Sequence, residues 1–143
     1  MIKYQHAQEA AKILFDYRLN RLSLDSLPNN LIPLSLDDAY LIQNELKFHY
    51  LSLQNNFSIG KKVGCTSTDG QKQLDINEPF YGNLFSRYSI VNPDEISSKK
   101  FNHPFIEPEI AFRIKKDIDI SKAPYSIKDS KVLFDGIVCA LEI

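Results

Sequence analysis

Apolar residues recur at helical spacing near the start of the chain and at alternate positions near its end, which predicts helices first and strands afterwards. Ala7, Ala10, Ala11, Leu14, Phe15 and Leu22 repeat every three or four positions, with Gln8, Glu9, Lys12 and Asp16 on other faces. That pattern predicts a helix over about residues 4–21. Pro28, Asn29, Asn30 and Pro33 end any continuation. Ser35 opens a second helix, because its hydroxyl and the Asp38 carboxylate three positions on can satisfy free N–H groups at a helix start. Leu36, Ala39, Gln43, Leu46, Tyr50 and Leu53 are expected to line one face, with Gln43 as the odd polar member, and Asn55-Asn56 close the helix.

The texture changes after residue 56. Phe57 to Cys65 reads as a strand, with Gly60 and Gly64 where the backbone turns sharply or passes close to something. Residues 66–74 are polar enough for a short helix, Asn77-Glu78-Pro79 and Gly82 punctuate a loop, and Leu84 to Val91 reads as another strand. From Phe105 to Ile114 the alternation is clean. Ile106, Ile110, Phe112 and Ile114 face one way, and Glu107, Glu109 and Arg113 the other. The last run, Val132 to Ile143, is apolar and β-branched, interrupted by Asp135-Gly136. The expected fold class is α+β, a helical region over 1–56 followed by a β region over 57–143 in a single domain. The final strand-like run continues to the last residue, so the β region is expected to be incomplete as a folding unit.

Composition narrows the function classes. The chain has 143 residues, enough for one domain with a real core. Seventeen Lys plus Arg against 18 Asp plus Glu leave a net charge of -1, which offers no basic excess for a nucleic acid or an anionic membrane. No segment has the length of a membrane span, and Met1 to His6 lack a signal pattern. Cys65 and Cys139 form no CxxC pair and read as reduced, buried thiols, so a cytoplasmic protein is expected.

The sharpest chemical feature is Ile106-Glu107-Pro108-Glu109-Ile110. Residues two apart on a strand share a face, so two carboxylates lie side by side and repel unless a cation or a proton sits between them. Glu142 stands alone in the terminal apolar run, where a charge needs a partner. If its strand pairs near the first, three glutamates converge, an all-oxygen set that suits Mg²⁺, Mn²⁺ or Ca²⁺. The plainer account is that alternate glutamates on an amphipathic strand face water. In Gly60-Lys61-Lys62-Val63-Gly64 one lysine is expected to point inward and one outward. An inward lysine near a metal site would serve in acid/base chemistry or bind a substrate carboxylate, and the plainer account is a solvated pair. His6, His49 and His103 lack metal-ligand spacing, and Cys65 has no evident base.

Several ordered blocks resemble the 2-keto-4-pentenoate hydratase / 4-oxalocrotonate decarboxylase family of aromatic meta-cleavage pathways, a branch of the fumarylacetoacetate hydrolase superfamily. They are Asp38-Ala39-Tyr40-Leu41-Ile42-Gln43, Lys62-Val63-Gly64-Cys65-Thr66-Ser67, Pro79-Phe80-Tyr81-Gly82-Asn83-Leu84, residues 103–112 around Glu-Pro-Glu-Ile-Ala-Phe, and Ala140-Leu141-Glu142-Ile143. The resemblance implies helices followed by part of a mixed β-roll, truncated here, and a cytoplasmic lyase that hydrates or decarboxylates small 2-oxo acids. It implies Mg²⁺ or Mn²⁺ held by Glu107, Glu109 and Glu142, Lys62 as the active-site lysine, and a homo-oligomer or association with a related subunit. Phe80 stands where hydratases of the family tend to carry an aspartate, which favours the decarboxylase type. Family members continue well past the third glutamate. The alternative is therefore a catalytically inactive fragment, or a non-catalytic partner of a full-length subunit.

Overall fold

The computed structural model describes residues 1–143. The helices and strands are α1 (Tyr4–Leu19), α2 (Leu36–Leu51), β1 (Ser58–Gly64), α3 (Thr68–Gln73), β2 (Phe80–Phe85), β3 (Glu107–Ile114), α4 (Ile127–Ser130) and β4 (Phe134–Glu142), with short 3₁₀ turns between them. The two sheets are antiparallel pairs, β1 with β2 and β3 with β4, so the α+β expectation holds. The chain divides into two compact units, Met1–Asn102 and His103–Ile143. The change in texture after residue 56 marks where strands replace helices; the contacts divide at a separate place, after residue 102.

In the first unit, α1 and α2 close over Ala7, Ala10, Ala11, Leu31 and Ile42. Three alanines let the helix backbones approach closely, and Ile13, Leu14, Leu41 and Leu46 fill the margins. A second cluster joins the helices to the β1–β2 hairpin. Phe15, Tyr50 and Phe85 are buried together, with Tyr50 against Phe15 at 5.3 Å, Phe85 at 4.8 Å and Tyr88 at 5.7 Å between ring centroids. Asn56 is buried beneath them. Its Nδ2 donates to the Tyr50 carbonyl at 2.8 Å, and its Oδ1 accepts from the Arg87 N–H at 3.0 Å.

Two expectations shift. The second strand begins at Phe80 and ends at Phe85, because a 3₁₀ turn over Ser86–Tyr88 is held there by Asn56, and Val91 is exposed. The buried face of α2 centres on Asp38, Ile42 and Tyr50, with Leu36 exposed. Asp38 also departs from a simple capping pair. The Ser35 hydroxyl accepts from the Asp38 N–H at 3.1 Å, but the Asp38 carboxylate accepts from Ile2 N–H at 2.7 Å and Leu34 N–H at 3.3 Å. With 2% of its surface exposed, Asp38 is a buried charge satisfied by backbone donors, and it ties the N-terminal segment to α2.

The Ile2 N–H, opposed by desolvation and helped by Leu34, the N-terminal amine and Ser35, holds the Asp38 carboxyl below its ordinary value. A depressed folded-state pKa stabilises above the unfolded value of 3.8 and is lost as pH falls through the folded one. Asp38→Ala should lower the melting temperature by about 5–10 °C near neutral pH. The gap between wild type and Asp38→Asn should narrow as pH falls from about 6 to about 3, measured by thermal melts across that range.

Candidate metal centre

The second unit is built on one long hairpin. β-branched and aromatic residues at alternate positions favour the pleated strand, and β3 and β4 pair over almost their whole length. Glu107 lies opposite Glu142, Glu109 opposite Ala140, Ala111 opposite Val138 and Arg113 opposite Gly136. These residues share one face. The other face carries Ile110 and Phe112 with Leu141, Cys139 and Ile137. The register shifts between Arg113 and Ile114, leaving Asp135 as the extra residue of a bulge. Arg113 Nε donates to Asp135 Oδ1 at 2.6 Å, a bond that raises the guanidinium pKa further, and Gly136 leaves room for the guanidinium above it.

The register brings the three glutamates together. One carboxylate oxygen from each lies within 4.8 Å of the others, with Glu107 and Glu109 exposed and Glu142 half-buried as a residue. Like charges placed directly across an antiparallel pair repel. The donor set fits a hard divalent cation. Opposed oxygens around such an ion stand about 4–5 Å apart, twice the usual metal–oxygen distance. Three carboxylates would over-neutralise a 2+ charge, leaving an anionic site that keeps room for neutral or chelating oxygen ligands.

Lys62 lies on β1, in the first unit. It pairs with Gly82 across the hairpin, while Lys61 pairs with Asn83 and Val63 with Tyr81. Strand alternation therefore sends the two lysines to opposite faces. Lys61 lies on the α2 side. Its ammonium donates to Asn83 Oδ1 and sits 4.8 Å from the Tyr81 ring centroid. Burial first, and Lys47 second, push its pKa down. Lys62 shares the far face with Gly60, Gly64, Phe80, Gly82 and Leu84. Both cysteines are free, but Cys65 is half-buried and Cys139 exposed, so the expectation of two buried thiols is corrected. His49 stacks on Phe15, and none of the three histidines joins the carboxylate group.

Sequence reasoning missed what the polar residues of α2 do. Gln43 donates from Nε2 to the Tyr81 carbonyl at 2.8 Å and accepts at Oε1 from Asn83 Nδ2 at 3.0 Å. Tyr40 stacks on Tyr81 at 4.6 Å, and its hydroxyl accepts from the Tyr81 N–H. The anomaly of a glutamine on an apolar helix face was the available signal.

No family model matches the chain. It is 30% identical over 139 residues to 2-keto-4-pentenoate hydratase of Paraburkholderia xenovorans (strain LB400), covering 97% of this chain and 51% of that protein. It is 29% identical over 101 residues to 4-oxalocrotonate decarboxylase of Pseudomonas sp. (strain CF600), covering 71% and 35%. Its fold matches that of 4-oxalocrotonate decarboxylase from Pseudomonas putida G7, complexed with magnesium and adipate. The TM-score is 0.87 at 24% identity, over 99% of this chain and 53% of that one. The chain thus spans about half the length of the curated relatives it matches.

Glu107 faces like charge along its own strand and directly across the hairpin. In chelator and low salt, Glu107→Gln should raise the melting temperature of the metal-free chain by about 1–3 °C. Added salt should erase the gain by screening the repulsion, which melts in low and high NaCl will show.

Proposed function

Because the chain is related to 2-keto-4-pentenoate hydratases and 4-oxalocrotonate decarboxylases, we propose that it carries the metal site of a divalent-cation-dependent lyase for small 2-oxo acids. The observation that carries this reading is the convergence of Glu107, Glu109 and Glu142 on one face of a hairpin. The magnesium and adipate with which the matched decarboxylase is complexed support a hard cation and a carboxylate substrate. We read the two hairpins as part of a β-roll of fumarylacetoacetate hydrolase type. The apolar face of β3–β4, with Ile110 and Ile137 exposed, supports its burial against further polypeptide in an oligomer.

Glu107, Glu109 and Glu142 would hold Mg²⁺ or Mn²⁺, whose chemistry when bound is Lewis-acid polarisation of the carboxylate and keto oxygens of a 2-oxo acid. Two paired strands fix the backbone positions of the three glutamates, so the ion has only their side chains to order. Lys62 is assigned to proton transfer, or to holding the substrate carboxylate, by its match to the family's active-site lysine. Its face of β1–β2 is otherwise Gly60, Gly64, Phe80, Gly82 and Leu84. Phe80 on that face, where hydratases of the family tend to carry an aspartate, favours loss of CO₂ over addition of water.

Thermal melts of the chain with Mn²⁺ or Mg²⁺, then with excess chelator, test the site. A cation that binds the folded state must raise the midpoint, by several degrees at about a hundredfold excess over Kd. The Glu107→Gln/Glu109→Gln variant should lose that rise. An equal rise in wild type and variant would defeat the proposed site. Lys62→Met should keep the metal-dependent rise and lower turnover of a 2-oxo acid about a hundredfold or more, with CO₂ as the wild-type product.

A further inference from the structure

We infer that Gly82 is a positioning residue for Lys62: the missing side chain at 82 is the space across which the lysine stem lies. The inference rests on the role proposed above for Lys62. The two residues are direct partners across β1–β2 and face the same side. A Cβ placed on Gly82 would meet Lys62 Cγ at 3.3 Å and Cδ at 3.7 Å, and nothing else that close. The first distance is tighter than an ordinary packing contact, so the stem must give way while the backbone stays. On either side of Gly82 along β2 stand Phe80 and Leu84, whose side chains share that face. Phe80 leans over Gly64, where an added Cβ would come within 2.9 Å of the ring, and Leu84 sits 3.8 Å from the corresponding position at Gly60. Lys62 therefore runs through a slot with Gly82 as its floor and two apolar side chains as its walls. A slot of this kind limits the rotamers open to a four-carbon stem and directs the ammonium along one path.

Gly60 supplies the control. It lies on the same face of the same hairpin, but a Cβ there makes only an ordinary contact with Leu84. Lysine acylation by an N-hydroxysuccinimide ester, read site by site by mass spectrometry, reports on each ammonium. Gly82→Ala should change the Lys62 rate about threefold or more, as a shifted rotamer population would, and leave Lys61 and Lys47 unchanged. Gly60→Ala should leave all three alone. Unchanged Lys62 reactivity in Gly82→Ala would overturn the inference.

A double-mutant cycle on melting temperature covers the case in which Gly82→Ala is too unstable to label. The cost of Gly82→Ala should persist in the Lys62→Met background, which keeps the stem without the charge, and vanish in the Lys62→Ala background, which removes it. An equal cost in all three backgrounds would mean that the methyl group meets something else, and would also overturn the inference. Acylation of wild type with Mg²⁺ and oxalate, a stable mimic of a chelating 2-oxo acid, separates the two readings. Protection of Lys62 supports its proposed chemistry. Lack of protection removes that chemistry, and with it the functional part of this inference, whatever the cycle gives.

Discussion

The pairing register of β3 against β4 is the constraint on which the candidate chemistry depends. With Glu107 opposite Glu142, strand alternation puts Glu109 on the same face and three carboxylates come within one ion's reach. A slip of one residue would send Glu142 to the apolar face and set Leu141 among the carboxylates. Two features hold the register against the repulsion it creates. Ile110, Phe112, Ile137 and Leu141 must stay together on the other face, and the bulge at Asp135 is fixed by the Arg113–Asp135 ion pair. The ion pair is exposed and contributes little by itself, and the apolar face, itself exposed, acts fully only where it is covered.

In the first unit the comparable constraint is the polar seam of α2. Asp38 gathers backbone donors from the N-terminal segment and the helix entry, and Tyr40 and Gln43 take hold of β2 at Tyr81 and Asn83. These bonds set where the β1–β2 hairpin lies against the helix, and hence which lysine is committed to packing. Lys61 is held by Asn83 and Tyr81 on the helix side. Lys62 faces the other side of the hairpin, where its stem crosses Gly82. The block Asp38 to Gln43, which enters the family resemblance as a motif, is therefore explained here by packing and hydrogen bonding.

Much of this was legible in the residues themselves. Periodicity determined the two long helices, the alternation of β3 and the sharing of a face by Glu107 and Glu109, because these depend on local geometry with fixed repeats. The ordered motifs determined the kinship with the hydratases and decarboxylases. Tertiary structure decided the rest. Whether Glu142 met the other two carboxylates hung on a pairing between strands whose near ends, Ile114 and Phe134, are twenty positions apart, and on a bulge that no periodicity announces. The early start of β2, at Phe80, depended on β1 as its partner and on Asn56 as its stop. The burial of Asp38 depended on the return of the N-terminus, and the value of Gly82 on the stem of a lysine twenty positions earlier. In each case the deciding neighbour is remote in sequence, so only the folded chain supplies it.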